Sequence, residues 1–393
     1  MTGRVTKPNS TKQVKQNRPH ILHLHSTFAA GGKELRCARL INAWGPNVGH
    51  SIVSAMPERM EAAQHILREI PVAYPGNFPS LVGKPTPGRL QKLARAMRGY
   101  DLILTYNWGS IDAVMAHTLF GQAMDLPPLI HHEDGFNEDE LKRLKTSRNW
   151  YRRIALGRAS GLVVPSEKLE EIALVDWAQP LGRVKHVPNG IPTANFTKKP
   201  RLDALRGVVK RKGENWVGTM AGLRKIKNLP RLVRAFAGLP EEWHLVIVGE
   251  GPEEDAIREE ADRLDIGHRL HLPGFVPDPA KYVGLFDIFA LSSDSEQFPI
   301  SVIEAMAAGV AVVAPAVGDM LEIVSTPNLP YIAEAGDEIG FALSLRELAG
   351  NPGLRDKLGA ANQEKARDEF DEKKMIDTYR RLYSSAMGRD KMG

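Results

Sequence analysis

Two glutamates in the second half of the chain have a spacing and a setting that indicate chemistry. Glu296 lies in a polar loop after an apolar segment, and Glu304 lies eight positions later in a segment predicted to be helical. The apolar run 298–303 separates them, so neither carboxylate resembles a randomly placed surface charge. Pro299 suits a first helical turn and Gly309 suits the helix end. The alternative is a charge at a helix N-terminus followed by a buried structural glutamate.

Three cations, Arg224, Lys225 and Lys227, lie between a predicted strand and a predicted helix. A charge-assisted hydrogen bond to phosphate is worth about 1.5–3 kcal/mol. Two such bonds in a closed cleft would stabilise a phosphate leaving group. The alternative is an ordinary solvated loop.

The segment 26–33 joins a predicted strand to a predicted helix and contains Gly31 and Gly32. Paired glycines let the backbone approach a ligand closely, and the following helix presents free N–H groups and the positive end of its dipole. This pattern favours an anion cradle for a pyrophosphate, although it is neither the Rossmann fingerprint nor a Walker loop. A plain tight turn explains it equally well.

The segment 130–136 places two histidines beside two acids at a predicted strand end. His131 and His132 are followed directly by Glu133 and Asp134. Imidazole beside carboxylate is a common catalytic or binding arrangement, although single histidines are often structural. The spacing also resembles that of metal ligands, but no further cysteine or histidine cluster completes such a site, so no metal is expected.

Alternating strands and helices must position these four groups. In the first half we predict strands at His20–His25, 51–55, 101–106, Leu129–His132 and 161–165, and helices at 34–43, 90–98, 110–119, 140–157 and 167–174. In the second half we predict strands at 216–221, 244–248, 269–272, 288–291 and 310–314, and helices at 228–237, 253–264, 300–308 and 342–349. This alternation predicts two doubly wound α/β domains with parallel sheets and a ligand cleft between the carboxyl ends of both sheets.

The predicted boundaries divide the chain into five parts. Residues 1–18 read as a disordered basic tail, 19–190 as the first domain, 191–212 as a linker, 213–369 as the second domain, and 370–388 as a final helix. A length of 393 residues fits two domains, and 42% hydrophobic with 25% charged residues is ordinary for a globular protein.

Cysteine and charge indicate the environment. Cys37 is the single cysteine, so no disulfide forms within the chain and a reducing cytoplasm is expected. No apolar stretch is long enough for a transmembrane helix. The net charge of +5 is modest, and no nucleic-acid partner is expected. The segment 142–158 nevertheless carries seven cations and no acid, which suits an anionic partner such as a membrane surface or, equally, a solvated helix face: Lys142, Arg143, Lys145, Arg148, Arg152, Arg153 and Arg158.

The residues from Glu296 to Gly309, followed by Val-Ala-Val-Val-Ala, resemble the signature of family 4 of the retaining glycosyltransferases, which have the GT-B fold. The resemblance extends over nearly all of the chain after residue 18 and is most specific in the second half. Supporting motifs occur in the expected order: Gly31-Gly32, Val187-Pro-Asn-Gly-Ile191, Lys227-Asn228, Leu245-Val-Ile-Val-Gly-Glu-Gly-Pro252, Leu272-Pro-Gly-Phe275 and Gly318-Asp-Met-Leu-Glu322. The closing Phe370, Met375, Tyr379 and Tyr383 resemble the helix that returns to the first domain.

The resemblance implies a role for each group. The second domain would bind a nucleoside-diphosphate sugar, with Glu304 on the ribose, Glu296 on the transferred sugar and Lys227 on the phosphates. The resemblance further implies donor contacts from Gly31, Gly32, Gly274, Phe275, Val276, Phe298, Pro299, Ile300 and Ser301. The first domain would bind the acceptor through Asn107, Trp108 and Asp134, with His132, or less favourably His131, beside the reacting sugar.

Two positions depart from the family pattern. The family usually has an arginine five positions before the phosphate lysine, where this chain has Gly222, so either Arg224 or Lys225 would replace it. The family often has glycine after the first glutamate, where this chain has Gln297, which would alter donor selectivity.

The resulting expectation is a retaining hexosyltransferase that needs no metal and no cofactor besides its donor. Its acceptor would be a saccharide or a lipid-linked saccharide in bacterial cell-surface polysaccharide synthesis, met in the cytoplasm or at the inner face of the membrane. The alternatives are a sugar-nucleotide epimerase of the same architecture and a non-catalytic sugar- or lipid-binding module.

Overall fold

In a computed structural model that describes residues 18–136, 138–140 and 143–390, the first domain is a seven-stranded parallel sheet in the order β3-β2-β1-β4-β5-β6-β7. The strands are β1 (His20–His25), β2 (Gly49–Ser54), β3 (Val72–Ala73), β4 (Leu102–Tyr106), β5 (Leu129–His132), β6 (Gly161–Val164) and β7 (Val184–His186). The helices are α1 (Gly32–Trp44), α2 (Pro87–Ala96), α3 (Ile111–Met124), α4 (Thr146–Ala155) and α5 (Glu167–Val175).

The second domain is a six-stranded parallel sheet in the order β10-β9-β8-β11-β12-β13. Its strands are β8 (Asn215–Met220), β9 (Trp243–Val248), β10 (Leu270–Gly274), β11 (Ile288–Ala290), β12 (Ala311–Pro315) and β13 (Ile332–Ala333). Its helices are α6 (Leu229–Phe236), α7 (Glu254–Arg263), α8 (Ile300–Ala307), α9 (Met320–Ile323), α10 (Glu338–Gly350) and α11 (Pro352–Glu369). The two-domain α/β fold is therefore confirmed.

Each sheet is covered by apolar side chains on both faces, so the side chains of its central strands are buried on both sides. The final helix α12 (Glu372–Ala386) belongs to the first domain, because Met375, Tyr379 and Tyr383 pack with Cys37 and Trp44 in one of its cores. The predicted return of the last helix to the first domain is what the structure shows.

The chain crosses between the domains twice, and the two crossings lie side by side. The amide of Ile191 donates to the carbonyl of Phe370 (2.9 Å), and the amide of Glu372 donates to the carbonyl of Ile191 (2.9 Å). A Cβ at Gly190 would lie only 2.7 Å from the Cα of Glu372, so this close approach requires glycine.

The segment 191–212, predicted as a linker, packs onto the second domain over much of its length. Phe196, Leu205 and Val208 are buried in that domain's core, so the passage between the domains is confined to a few residues around Gly190. Among the described residues, no helix has both the length and the apolar sequence needed to span a bilayer.

Candidate active site

A cleft of about 460 Å³ lies between the domains, at the point in each sheet where the strand order reverses. In the first domain this point lies between β1 and β4, and in the second between β8 and β11. Loops that leave the carboxyl ends of such strands are the usual ligand-binding elements of doubly wound sheets. The lining residues are Gly31, Gly32, Lys33, Glu34, Asn107, Asp134, Gly135, Phe136, Asn189, Arg224, Ile226, Lys227, Ser295, Glu296, Gln297, Phe298 and Ile300.

Lys227 and Glu296 form an ion pair at the floor of the cleft. The Lys227 ammonium lies 2.5 Å from Glu296 Oε1, and the Ser293 hydroxyl donates to the same oxygen at 2.6 Å. Both charged side chains are mostly shielded from solvent. The fold therefore brings the predicted phosphate lysine into contact with the first of the two predicted glutamates, 69 positions away in sequence.

Short hydrogen bonds hold the two loops that carry this pair. The Ser292 hydroxyl donates to the carbonyl of Lys227 (2.9 Å), and the amide of Asp294 donates to the carbonyl of Ile226 (2.9 Å). Asn228 adopts a left-handed backbone conformation with φ 43° and donates its side-chain amide to Asp294. Asparagine tolerates this conformation better than most residues, which explains the Lys-Asn sequence at the turn.

Arg224, and not Lys225, lines the cleft. The Nε atom of Arg224 lies 3.6 Å from the position that a Cβ would take at Gly222, so the guanidinium group folds back over the glycine. Arg224 thus occupies the neighbourhood of the arginine that the family pattern places at 222. Lys225 is exposed and lies outside the lining.

Glu304 lies in the second turn of α8, away from the Lys227–Glu296 pair. Its burial raises the pKa of its carboxyl to about 7, with Arg39 of the first domain opposing this effect and Asp278 adding to it. Tyr282, whose pKa is raised by burial and by the nearby Glu304, donates its hydroxyl to the carbonyl of Val276. Glu304 is not among the residues that line the cleft, although a carboxyl whose pKa lies near neutral pH is a common feature of functional sites.

The end of β10 and the loop after it contain three residues predicted to contact the donor, Gly274, Phe275 and Val276. Gly274 has φ 79°, and the amide of Phe275 donates to Glu250 Oε1 at 3.2 Å, which leaves the Phe275 ring exposed. Phe298 and Ile300 reach the cleft at the start of α8, and Ser301 follows them. Pro299 has no backbone N–H, so only its neighbours donate to an anion there.

On the first-domain side, Asp134 is held by a buried arginine that the sequence analysis missed. Arg36 donates to both carboxylate oxygens of Asp134 (2.5 and 2.8 Å) and to Asn189 Oδ1 (2.6 Å). Burial alone would raise the pKa of Asp134, but the Arg36 guanidinium holds it below its usual value. Arg36 lies four positions after Gly32 on α1, and that helical spacing was the available signal.

Asn107 fixes the loop that carries Asp134. Its side-chain oxygen accepts from the amide of Asp134 (2.9 Å), and its own amide donates to the carbonyl of His132 (2.7 Å). Asn107 has φ 54°, an uncommon conformation that costs free energy unless the surroundings impose it. Trp108 does not line the cleft. Its ring instead lies under the guanidinium groups of Arg148 (4.9 Å) and Arg152 (4.8 Å).

The Gly31–Gly32 loop lines the cleft, but the Glu34 carboxylate lies against this loop. Glu34 Oε2 is 2.7 Å from the position of a Cβ at Gly31, and Lys33 pairs with the other oxygen of Glu34. A Cβ at Gly32 would lie 3.3 Å from Ile300, so the loop also brings the two domains into contact. Close domain approach is therefore one reason for glycine here, beside the predicted anion cradle.

His131 and His132 do not reach the cleft lining. The Nδ1 of His132 donates to the carbonyl of Thr105 (3.1 Å), and its Nε2 accepts from the Tyr383 hydroxyl (2.6 Å). Burial lowers the pKa of His132 to about 3, so the ring is neutral. The Nδ1 of His131 bonds the Thr105 hydroxyl (2.8 Å). The geometry gives both histidines a role in the core, because α12 covers His132 through Tyr383 and the His131 ring is fully buried beside Thr105.

Among the described residues, one group could hold a metal. His23, His25 and Cys37 place one ligand atom each within 4.8 Å of one another. All three are buried between β1 and α1, and none lines the cleft. His23 already bonds Tyr106 and His50 through its two ring nitrogens.

The basic segment predicted as one cationic surface is divided by the structure. Arg152 is fully buried and pairs with Glu133 (3.3 Å) and Glu140 (3.2 Å), while Arg148 pairs with Asp139 and Glu140. The acids that neutralise them precede the segment in sequence and fold back against α4. Lys142 lies outside the described residues. The exposed cations without an ion pair in the described chain include Arg153 and Arg158.

Two doubly wound α/β domains with cationic side chains in the cleft between them are typical of nucleotide-dependent enzymes, and comparison with known proteins gives the family. Residues 30–195 match the profile of Glycosyltransferase Family 4, and residues 203–365 match that of Glycosyl transferases group 1. The chain belongs to this family of glycosyltransferases.

The curated relatives include N-acetyl-alpha-D-glucosaminyl L-malate synthase of Bacillus anthracis, which is 29% identical over 44% of this chain and 46% of its own length. The lipopolysaccharide core biosynthesis glycosyltransferase LpsD of Rhizobium meliloti is 26% identical over 50% of this chain and 57% of its own length. The chain thus matches about half the length of these relatives.

Solved structures confirm the GT-B fold over nearly the whole chain. HepE of Anabaena, crystallised with UDP, superposes with a TM-score of 0.75 at 21% identity, covering 93% of this chain and 100% of HepE. WaaG, a glycosyltransferase involved in lipopolysaccharide biosynthesis, gives a TM-score of 0.67 at 16% identity, covering 94% of this chain and 100% of WaaG.

Proposed function

We propose that this protein transfers a sugar, with retention of anomeric configuration, from a nucleoside-diphosphate sugar to a saccharide or lipid-linked saccharide acceptor. The observation that carries the proposal is the Lys227–Glu296 pair beside Arg224, facing the Asp134–Arg36 pair across the cleft. One side of the cleft offers cations for a leaving diphosphate, and the other offers an ionised carboxylate for hydroxyl groups.

The second domain stabilises the leaving group. Lys227 and Arg224 hold the diphosphate, and their charges oppose the negative charge that grows as the bond between C1 and the phosphate oxygen breaks. Glu296 holds Lys227 in place before the donor enters and then accepts hydrogen bonds from hydroxyl groups of the transferred sugar. The Ser293 hydroxyl keeps the Glu296 carboxylate oriented throughout.

The first domain presents the acceptor. Asp134 accepts a hydrogen bond from an acceptor hydroxyl, and its ion pair with Arg36 keeps it ionised and fixed. The acceptor oxygen attacks C1 from the face that the diphosphate leaves, so the configuration is retained. The acceptor proton passes to the departing phosphate oxygen, and this balances the reaction without a protein base.

No divalent metal takes part in this mechanism, because cationic side chains supply the charge that a metal would supply. Activity is expected to survive an excess of EDTA. A large loss that magnesium or manganese restores would contradict the cation-only mechanism.

The first donor to test is UDP-glucose, since HepE has been crystallised with UDP-glucose. A donor at 100 times its dissociation constant adds about 2.7 kcal/mol of stability, which a thermal-shift screen of nucleotide sugars detects. Mass spectrometry with and without acceptors then separates transfer from two alternatives. An epimerase changes the donor without an acceptor, and a binding module leaves it unchanged.

We also propose that the protein is cytoplasmic, acts in bacterial cell-surface polysaccharide synthesis and binds the inner face of the membrane reversibly. LpsD supports the pathway by its name. The surface that would meet an anionic bilayer is the exposed face of α4 and the turn after it, with Trp150, Ile154, Arg153 and Arg158.

Cosedimentation with anionic vesicles at low salt tests the membrane proposal. Charge reversal at Arg153 and Arg158 should release the protein from vesicles and spare transfer to a soluble acceptor analogue. Arg152 is unsuitable for this test because it is buried. Failure of the unaltered protein to bind such vesicles at low salt would contradict the proposed membrane binding.

A further inference from the structure

The first domain contains a second cavity, of about 520 Å³, that the proposed transfer mechanism leaves unused. It opens at the carboxyl end of β2, one strand away from the loop that follows β1. Apolar side chains form most of its wall, including Ile52, Ala55, Met60, Tyr74, Phe78 and Leu81. Its lining, all of it in the described chain, contains no charged residue.

The two serine hydroxyls of the wall already bond the backbone, and its third hydroxyl, that of Tyr74, belongs to a side chain that is 48% exposed. The Ser54 hydroxyl donates to the carbonyl of Met56 (2.8 Å), and the Ser80 hydroxyl donates to the carbonyl of Val82 (3.1 Å). A sugar bound here would lose its hydrogen bonds to water and gain few in return. The chemistry of the wall therefore favours a hydrocarbon ligand.

The rim of the cavity exposes further apolar side chains. Met56 is 49% exposed, Tyr74 48% and Val82 65%. Apolar residues clustered around a concave site are typical of ligand-binding grooves, whereas single exposed ones carry no information. The hydrophobic surface thus continues from the interior of the cavity to its mouth.

The cavity and the cleft share one connecting loop. The amide of Phe28 donates to the carbonyl of Arg59 (2.9 Å), and the amide of Ala62 donates to the carbonyl of Phe28 (3.0 Å). Phe28 thereby ties the segment around Met60 to the loop that reaches Gly31 in the cleft. Neighbouring strands are about 4.8 Å apart, so the mouth of the cavity at β2 lies beside the loop that follows β1.

We propose that this cavity binds the alkyl chain of an amphiphilic acceptor and so holds the acceptor's sugar at the cleft. The inference rests on the proposed glycosyl transfer and narrows its acceptor to a molecule with a hydrocarbon part. A single alkyl chain fits the wall better than a peptide, because the lining offers no charged groups and its two serine hydroxyls are engaged.

Calorimetric titration of hexyl, octyl and decyl β-D-glucoside, each below its micelle concentration, tests the binding, with methyl β-D-glucoside as the sugar-only control. Burying a methylene strengthens binding by about fourfold. Affinity should rise with chain length until the cavity is filled and then level off. Affinity that is independent of chain length would overturn the proposal.

Two variants assign that binding to the cavity. Ala55→Phe fills the cavity, and Tyr74→Ala removes part of its wall; both should weaken decyl glucoside binding at least tenfold. Ala123→Phe places the same bulk on the exposed face of α3 and should leave binding unchanged. A cooperative thermal unfolding transition shows that each variant folds. If Ala55→Phe does not fold, Tyr74→Ala alone tests the proposal.

Other outcomes are distinguishable. Unchanged binding in both cavity variants would overturn the proposal, as would self-association that Ala55→Phe abolishes, since a second copy would then cover the cavity. Turnover of UDP-glucose in the presence and absence of acceptor tests the transferase function separately. Chain-length-dependent binding without any transfer would leave the cavity assigned and remove the proposed function.

Discussion

At the scale of single residues, the donor side of the site follows from local sequence. Glu296 and Lys227 lie in loops directly after strands β11 and β8, and adjacent parallel strands bring such loops together. The sequence alone did not show whether Arg224 or Lys225 replaces the arginine missing at Gly222, because the two cations are neighbours. In the structure the Arg224 side chain lies over Gly222 and lines the cleft, whereas Lys225 does not line it, and no local sequence pattern encodes this difference.

Glu296→Ala is expected to lower kcat by about 10²–10³-fold, the loss typical for removing a group that orients charge in a transition state. Glu296 accepts from both Lys227 and Ser293, so its loss also frees the Lys227 ammonium from its partner. Turnover of UDP-glucose measures the effect, and an unchanged unfolding midpoint shows an intact fold. Near-normal turnover would remove Glu296 from the mechanism.

Lys227→Ala should lower kcat more than it weakens donor binding, because the charge that Lys227 faces grows as the bond breaks. Arg224→Ala should act in the same direction. Lys225→Ala is the matched control, since Lys225 carries the same charge outside the cleft lining. A loss confined to Lys225→Ala would reverse the assignment made from the structure.

Glu304 should make donor binding depend on pH. Its raised pKa of about 7 means that the folded protein keeps a proton which the unfolded chain releases near 4.5, so this group lowers folding stability as pH rises through that window. If the ribose requires the carboxylate, UDP-glucose should bind about tenfold more tightly at pH 8 than at pH 6. Calorimetry measures this, and Glu304→Gln should remove the dependence.

At the scale of elements, the central strands and the helices beside them were predictable to within a few residues. The strand β9, for example, contains the apolar run 245–248, which is long enough to be recognised in the sequence. The strands β3 and β13 have two residues each, too short for any periodicity. The helix α11 was missed although Asn351 caps it and Pro352 opens it.

The histidines of β5 show why the site residues of the first domain were harder to predict from the sequence. In sequence they precede a polar loop and look accessible. The Tyr383 hydroxyl that binds His132 comes from α12, 251 positions away. Only tertiary packing determines that the ring is covered, so residue type and neighbours could not distinguish a catalytic histidine from a core histidine.

Arg152→Ala should destabilise the first domain by about 3–5 kcal/mol, because it leaves Glu133 buried without its arginine partner and removes one of the two arginines that pair with Glu140. Chemical denaturation followed by circular dichroism measures the change. Arg153→Ala, one position along α4 and exposed, should change stability by less than about 0.5 kcal/mol. Equal effects of the two substitutions would contradict the buried network.

At the scale of the whole molecule, the position of the cleft was predictable, because doubly wound sheets usually bind ligands at the carboxyl ends of their strands. The contacts that set the domains relative to each other were not. Asp319, beyond β12, accepts from the amides of Glu167 (2.7 Å) and Lys168 (3.4 Å) at the start of α5 in the other domain. Burial raises the pKa of Asp319, and the two backbone donors oppose this.

Asp319→Ala should therefore favour separation of the domains. Loss of a carboxylate that caps a helix costs about 1 kcal/mol, which corresponds to about a fivefold shift toward an open arrangement. We expect a larger radius of gyration in X-ray scattering without donor and a KM for UDP-glucose raised by up to about fivefold, with kcat little changed. Saturating donor should restore the compact form.

Asp337→Ala is the matched control for this substitution. Asp337 caps α10 within the second domain, where it accepts from the amide of Gly340 (2.8 Å), so its loss should cost similar stability without a change in domain arrangement. Asp319→Asn keeps one acceptor oxygen and should fall between the alanine variant and the unaltered protein. If Asp319→Ala lowers the unfolding midpoint as Asp337→Ala does but leaves the scattering and the donor KM unchanged, then Asp319 stabilises the fold without holding the cleft closed.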